Sequence, residues 1–140
     1  MFHRDFPCLN KAMEMLQILS TLPGYDSSKK VVLELEAGVH EVVGSWKASG
    51  YSTQQKLLSV PFDNLSIVGK GEGETIVDGG FVVENGRKVR FEGLTMKNSS
   101  GWGLGASGVG TEMVLEKMTV EECQTTGVYV RGGAKLVATD

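Results

Sequence analysis

The chain has 140 residues, of which 41% are hydrophobic and 22% are charged, and its formal net charge is −3. These values predict one soluble globular domain, residues 1–140, and exclude a disordered chain. The lysines and arginines are scattered along the sequence, which argues against nucleic acid as a partner, because phosphate binding needs a concentrated basic surface.

The sequence shows no secretory or membrane-spanning segment. Its first eight residues contain acidic and basic side chains where a signal peptide would have an apolar core. No apolar run approaches the ~20 residues that cross a membrane as a helix. We therefore expect an intracellular protein without a membrane span. The two cysteines, Cys8 and Cys123, are too few for a disulfide framework.

The first predicted element is an amphipathic helix over residues 8–20. Apolar side chains recur there at three- and four-residue spacing, namely Leu9, Ala12, Met13 and Leu16. The helix is expected to end before Pro23-Gly24, because this pair breaks regular structure.

From Val31 onward the sequence repeats itself about every 24 residues. The segments 64–69, 88–93 and 112–117 align, and a further copy begins at residue 135. The alignment produces two apolar columns, Leu65 with Val89 and Met113, and Ile67 with Phe91 and Leu115. Repeats of fixed length are typical of solenoids, in which each unit buries its apolar face against the next.

Three short strands fall in each repeat, and equivalent strands recur in the same direction. This pattern favours a parallel, triangular coil over a hairpin sheet. We predict an all-β solenoid of about four turns over residues 31–140, with the helix at 8–20 covering the exposed first turn. A polar excursion at residues 44–56 interrupts that first turn.

Alternation within the strands assigns side chains to the outer surface, where equivalent residues lie about 4.8 Å apart. Attractive ladders are expected for two sets, Lys97 with Glu121, and Lys88 with Glu112 and Lys135. Glu92 over Glu116 is expected to be repulsive, because like charges would stack directly.

After the helix, the chain reads VVLELEAGVHE at residues 31–41 and LSIVGKGEGETIVDGG at residues 65–80. These segments are similar to the opening of right-handed parallel β-helix proteins of the pectin-lyase-like superfamily. A later segment, GVYVRGGA at residues 127–134, resembles the carbohydrate-binding and sugar-hydrolase repeat of such solenoids. The resemblance covers residues 9–140 and implies a right-handed parallel β-helix with an N-terminal helical cap.

Members of this superfamily commonly have many more turns, whereas this sequence stops inside a predicted strand. Two explanations follow from the resemblance. The 140 residues are a fragment of a longer β-helix, or a second copy covers the C-terminal end of the solenoid in a homodimer.

Enzymes of this superfamily cleave or epimerise acidic polysaccharides, so the resemblance implies two kinds of site. The hydrolase kind has aspartates on adjacent turns, and no two aspartates of this solenoid lie one repeat apart. Glu92 and Glu116 near Arg90 are the best match to the lyase kind, but calcium requires six to eight oxygen ligands. His3 and His40 are too few for a zinc site, and alternation places His40 on the outer surface. We therefore predict no catalytic residue, no metal site and no cofactor.

Aromatic residues are the remaining candidates for ligand contact, namely Trp46, Tyr51, Trp102 and Tyr129. Exposed rings on a rigid ladder suit stacking on sugar rings or on a protein partner. Trp46 has an equally good alternative role, covering the apolar edge of the first turn. The predicted ligand-binding set also includes the charged cluster Arg90, Glu92 and Glu116.

The sequence supports two functions from different classes. The first is a non-catalytic binding or scaffold module that presents its rigid stacked surface to a protein or glycan partner. The alternative is a carbohydrate-active enzyme, a polysaccharide lyase or glycoside hydrolase, that is truncated or has an atypical site. The missing acidic cluster favours the first, since a fold alone does not specify an activity.

Overall fold

The computed structural model describes residues 9–26, 28–43, 45–46, 54–60, 62–98, 101–123 and 127–139. At positions 10, 45, 46, 54 and 55 it describes the backbone alone. No helix in these ranges is long and apolar enough to cross a membrane.

In the described ranges, one helix, α1 (Leu9–Ser20), precedes fifteen short strands. The strands are β1 (Val31–Glu34), β2 (Gly38–Glu41), β3 (Ser45–Trp46), β4 (Gln54–Gln55), β5 (Leu57–Ser59), β6 (Leu65–Val68), β7 (Thr75–Asp78), β8 (Gly80–Val83), β9 (Lys88–Glu92), β10 (Thr95–Lys97), β11 (Leu104–Ser107), β12 (Glu112–Glu116), β13 (Thr119–Glu121), β14 (Val128–Arg131) and β15 (Lys135–Thr139). The helix matches the predicted one, apart from Cys8, which lies outside the described residues.

The strands build three parallel sheets along one axis. Sheet A has the order β1-β6-β9-β12-β15, sheet B the order β2-β7-β10-β13, and sheet C the order β5-β8-β11-β14. The chain visits sheets A, B and C in turn, so the molecule is an all-β parallel solenoid, as predicted. Within the described residues, β3 and β4 form an antiparallel pair outside these sheets.

The solenoid has about three regular turns, slightly fewer than the four predicted. In sheet A, Leu65 pairs with Val89 and Val89 with Met113, each 24 residues further on, and Met113 pairs with Leu136 after 23 residues. The preceding turn is irregular, because Val31 pairs with Leu65 across 34 residues. The additional residues lie in the excursion between β2 and β5, where β3 and β4 are found.

The apolar columns predicted from the repeat are confirmed. Ile67 pairs with Phe91 and Phe91 with Leu115, and the three side chains are buried inside the coil. The ring of Phe91 also packs against Phe81 from sheet C, with ring centroids 5.5 Å apart. Strands β6, β9 and β12 of sheet A alternate in burial because one side of each faces this interior.

The apolar side of α1 packs into the same core. Leu9, Met13 and Leu16 are at most 2% exposed and join the buried cluster that contains Leu33 and Phe62 of the first turn. The helix therefore covers the start of the solenoid, and its apolar side chains occupy the place that a preceding turn would take.

Buried polar side chains connect different turns of the solenoid at their corners. Thr75 Oγ1 donates to the Glu36 carbonyl at 3.1 Å, and Asn98 Nδ2 donates to the Lys56 carbonyl at 3.2 Å. Thr111 Oγ1 accepts the backbone N–H of Gly86 at 2.9 Å. Among the described residues, no buried side-chain nitrogen or oxygen is left without a partner. These bonds allow the coil to bend without burying unsatisfied polar groups.

Candidate functional site

The outer surface of sheet A, called face A below, carries three rows of side chains that run along the solenoid axis. The strand registers give the rows as Lys30, Asn64, Lys88, Glu112 and Lys135; Val32, Ser66, Arg90, Val114 and Val137; and Glu34, Val68, Glu92, Glu116 and Thr139. The first row is mostly basic and the third row has acidic residues only among its charged members. Face A therefore has a different charge on each side of its middle row.

A shallow groove of about 210 Å³ runs between the first and middle rows. The residues that line it are Lys30, Asn64, Leu65, Ser66, Lys88, Val89, Arg90, Glu112 and Val114. Leu65 and Val89 are almost fully buried and lie beneath it. The groove combines cationic, amide and hydroxyl groups above an apolar base, which suits a polar, extended ligand.

Arg90 joins the two acidic residues of the third row that lie nearest to it. Its Nη2 donates to Glu92 Oε1 at 2.9 Å, and the same nitrogen forms an ion pair with Glu116 Oε2. The three side chains are between 30% and 42% exposed, so solvent still reaches them. The sequence correctly predicted that Glu92 stacks on Glu116. The expected repulsion is wrong in one respect, because the guanidinium between the carboxylates offsets it.

The first row holds a second predicted ladder. Glu112 stacks between Lys88 and Lys135 in the predicted register, and its Oε2 lies 3.9 Å from Lys135 Nζ. These side chains are solvent-exposed to differing degrees, and ion pairs of this kind contribute less than about 1 kcal/mol each. The ladder therefore matters more for the charge pattern of face A than for stability.

Asp63 positions two first-row residues and was not predicted from the sequence. Its Oδ1 accepts the backbone N–H of Lys88 at 2.7 Å and that of Asn64 at 2.9 Å, so one carboxylate fixes the start of two neighbouring strands. An aspartate directly before an aligned repeat is a turn signal. The repeat alignment could also have found Lys30 and Asn64, because both precede the same apolar column as Lys88.

Trp102 is not the exposed platform that the sequence predicted. It is 6% exposed and lies in the connection before β11, on the outer side of sheet C, with Leu57 and Val82. Its ring stacks on Tyr129 with ring centroids 4.7 Å apart. A Cβ atom on Gly105 would lie 3.5 Å from Cε3 of the same ring, which is an ordinary contact. Because Tyr129 covers the ring and Leu57 and Val82 pack with it, Trp102 is part of a small outer core.

The structure describes the three other aromatic residues predicted to contact a ligand to different extents. Tyr129 is half-buried against Trp102. For Trp46 the structure describes only the backbone, in β3, and Tyr51 lies outside the described residues.

His40 pairs with Val77, which is fully buried, so the prediction that His40 lies in an outward row is wrong. Its Nε2 lies 2.8 Å from the Glu36 carbonyl, a partner that satisfies the ring at the first turn's edge.

Sheet B carries a further ion-pair ladder, as predicted for Lys97 and Glu121. Lys97 Nζ lies 3.1 Å from Glu122 Oε2 and 3.4 Å from Glu121 Oε1. The hydrogen bond to Glu122, followed by the other contributions of these two carboxylates, raises the pKa of Lys97. Lys97 is partly exposed, so this ladder is a surface feature. Among the residues that the structure describes, no group of three or more His, Cys, Asp or Glu is placed to hold a metal ion.

Comparison with known proteins identifies the fold. No family model matches the sequence, and no curated protein matches it. A solved structure of a pectin methylesterase in complex with a hexasaccharide superposes on 97% of this chain with a TM-score of 0.63 and 12% identity. The chain spans 46% of the length of that protein. The molecule therefore has a pectin-lyase-like β-helix fold, and at this identity the likeness is one of fold alone.

Proposed function

We propose that the protein is a non-catalytic β-helix binding module and that the groove on face A binds a linear glycan carrying acidic groups. The observation that carries this proposal is the basic first row beside the groove. Lys30 and Lys88 offer charges to an acidic group, while Asn64 and Ser66 offer hydrogen bonds to sugar hydroxyls.

The dimensions of the groove favour a linear ligand. It extends from Lys30, before β1, to Glu112 on β12, which spans four neighbouring strands and about 14 Å along the axis. The pectin methylesterase of similar fold was solved with a hexasaccharide. That complex supports an oligosaccharide as the ligand of this β-helix, with a protein partner as the alternative.

Binding to an array of acidic and neutral oligosaccharides, followed by calorimetry, tests the proposal. Lys88→Ala is expected to weaken binding of an acidic oligosaccharide about tenfold, because a charge-assisted hydrogen bond is lost. Lys11→Ala removes the same charge from an exposed position on α1 and is expected to leave the affinity unchanged. Equal affinities for both variants, or no binding to any glycan, would rule out the groove as a glycan site and direct attention to a protein partner.

The second candidate function is a carbohydrate-active enzyme. The observation that favours it is the stacking of Glu92 on Glu116 beside the groove, since paired carboxylates serve acid–base chemistry on sugars. Against it, both carboxylates are already bound by Arg90. Release of reducing ends or unsaturated sugars from acidic polysaccharides, abolished by Glu116→Gln, would replace the binding proposal with this one.

We also propose that the 140-residue chain forms a homodimer through the end of the solenoid at β13, β14 and β15. These strands are the last in their sheets among the described residues, and their outer backbone edges can pair with another chain. Leu136 is 37% exposed and Val130 is 36% exposed at this end. A cavity of about 210 Å³ there is lined by Leu115, Met118, Val120, Ala138 and Thr139.

Light scattering at high micromolar concentration tests the homodimer. The unmodified chain is expected to have twice the monomer mass. Replacing Leu136 and Ala138 with lysine places charges in the contact and is expected to give a monomer with unchanged β-sheet circular dichroism. A strictly monomeric unmodified chain would contradict the proposal.

A further inference from the structure

The charged cluster on face A does not have the same sign as the basic end of the groove. Arg90 carries one positive charge, and Glu92 and Glu116 carry two negative charges, so the cluster has a net charge of −1. In the first row, the lining of the same groove has Lys30, Lys88 and Glu112, with a net charge of +1. The groove is therefore cationic at the first row and anionic around Arg90, although Arg90 is itself a cation.

We infer that Glu92 and Glu116 are specificity-determining residues, which exclude an acidic ligand group from Arg90 and restrict it to Lys30 and Lys88. This inference rests on the proposed glycan site and adds the reason for its selectivity. A ligand carboxylate next to Arg90 meets the guanidinium together with two carboxylates at close range, and the sum is repulsive. A neutral hydroxyl there can instead donate to either carboxylate.

The geometry supports this role for the two glutamates. Both ion pairs use the same guanidinium nitrogen, Nη2, so one edge of Arg90 is committed to the acidic row. Glu92 follows Arg90 by two residues on β9, and Glu116 pairs with Glu92 from β12, so two separate strands hold the carboxylates in place. The strand pairing preorganises the cluster, and it does not depend on a ligand to assemble it.

Chemical modification of Arg90 tests the inference without any glycan. Phenylglyoxal is neutral and 4-carboxyphenylglyoxal is negatively charged, and both add to the guanidinium of arginine. Mass spectrometry of the peptide that contains Arg90 gives the rate for each reagent. In the unmodified protein, Arg90 is expected to react more slowly with the charged reagent than with the neutral one. Glu92→Gln and Glu116→Gln are each expected to raise the ratio of charged to neutral rates about threefold to fivefold, because one negative charge close to Arg90 is removed.

Glu34→Gln is the matched control, because Glu34 lies in the same row but on β1, two strands away from β9. For this variant, the ratio of charged to neutral rates at Arg90 is expected to stay within twofold of the ratio in the unmodified protein. Equal ratios in all four proteins would overturn the inference. A lower ratio in the Glu92 and Glu116 variants would overturn it as well, since it would mean that the glutamates attract the anion through Arg90.

Binding of two hexasaccharides then connects the inference to the proposed function. For a hexasaccharide with a carboxylate on every ring, Glu92→Gln with Glu116→Gln is expected to tighten binding at least tenfold, with a stronger dependence on salt. For a hexasaccharide without carboxylates, the double variant is expected to bind no more tightly. Absence of all glycan binding would reject the proposed function, while the modification ratios would still decide the role of the glutamates. Binding of the acidic hexasaccharide with an unchanged affinity in the double variant would reject the inference alone.

Discussion

Phe91→Ala is expected to lower the free energy of unfolding by about 3–5 kcal/mol, because it leaves a cavity in the centre of the core. Phe91 is fully buried, stacks in register between Ile67 and Leu115, and contacts the ring of Phe81 from another sheet. The neighbouring side chains are fixed by strand pairing, so they cannot move inward to fill the space. A loss of this size is a large part of the 5–15 kcal/mol by which a typical domain is stable.

Urea unfolding followed by circular dichroism measures this effect. Val39→Ala is a suitable control, because Val39 is 67% exposed on the outside of sheet B and its truncation should change stability by less than about 0.5 kcal/mol. If Phe91→Ala were no less stable than Val39→Ala, the stacking of Phe91 inside the coil would be refuted.

Gly80→Ala is expected to cost about 3 kcal/mol or more, at the upper end of the range for overpacking. A Cβ atom on Gly80 would overlap with the carbonyl oxygens of Trp102 and Gly103 on the next turn and would lie 2.8 Å from Leu57 Cδ1. Two of these three neighbours are backbone atoms, which can move only if the turns separate. The result should be a lower midpoint in thermal unfolding.

Gly127→Ala is the matched control for Gly80→Ala. Both glycines directly precede the inward-facing residue of a sheet C strand, and Gly127 would place its Cβ atom 3.5 Å from Val120 Cγ1, an ordinary contact. This variant should therefore unfold within a few degrees of the unmodified protein. Equal loss of stability in both variants would refute the overlap with the next turn as the cause, because of these two glycines only Gly80 has that overlap.

The fold was predictable because two properties of the chain determine most of it. Alternation within each strand and a constant repeat length together fix which residues face inward and which residues stack. Leu65, Val89 and Met113 therefore fall in one column in both sequence and structure. His40 was placed on the wrong side of its strand. It precedes the irregular excursion, so no aligned repeat showed which side of the strand faces inward.

The candidate site was predicted less well, because it depends on side-chain contacts that a repeat does not encode. Stacking Glu92 over Glu116 was correct, but the sign of their interaction depended on Arg90, whose guanidinium reaches sideways across the strand. Trp102 was expected on the surface, and its burial depends on Tyr129, whose ring stacks on it. Both cases depend on a residue from a different column.

The irregular first turn has a consequence for how this fold can be altered. It is ten residues longer than the next turn in sheet A, yet Val31 still pairs with Leu65 and Leu57 still pairs with Gly80. The extra chain leaves and re-enters at the corner between sheets B and C, so its length is independent of the ladders. Since the entropy of closing a loop grows only with the logarithm of its length, doubling such an insertion costs about 0.6 kcal/mol. New recognition segments can thus be grafted at this corner, and face A would keep its spacing while the protein acquires a second specificity.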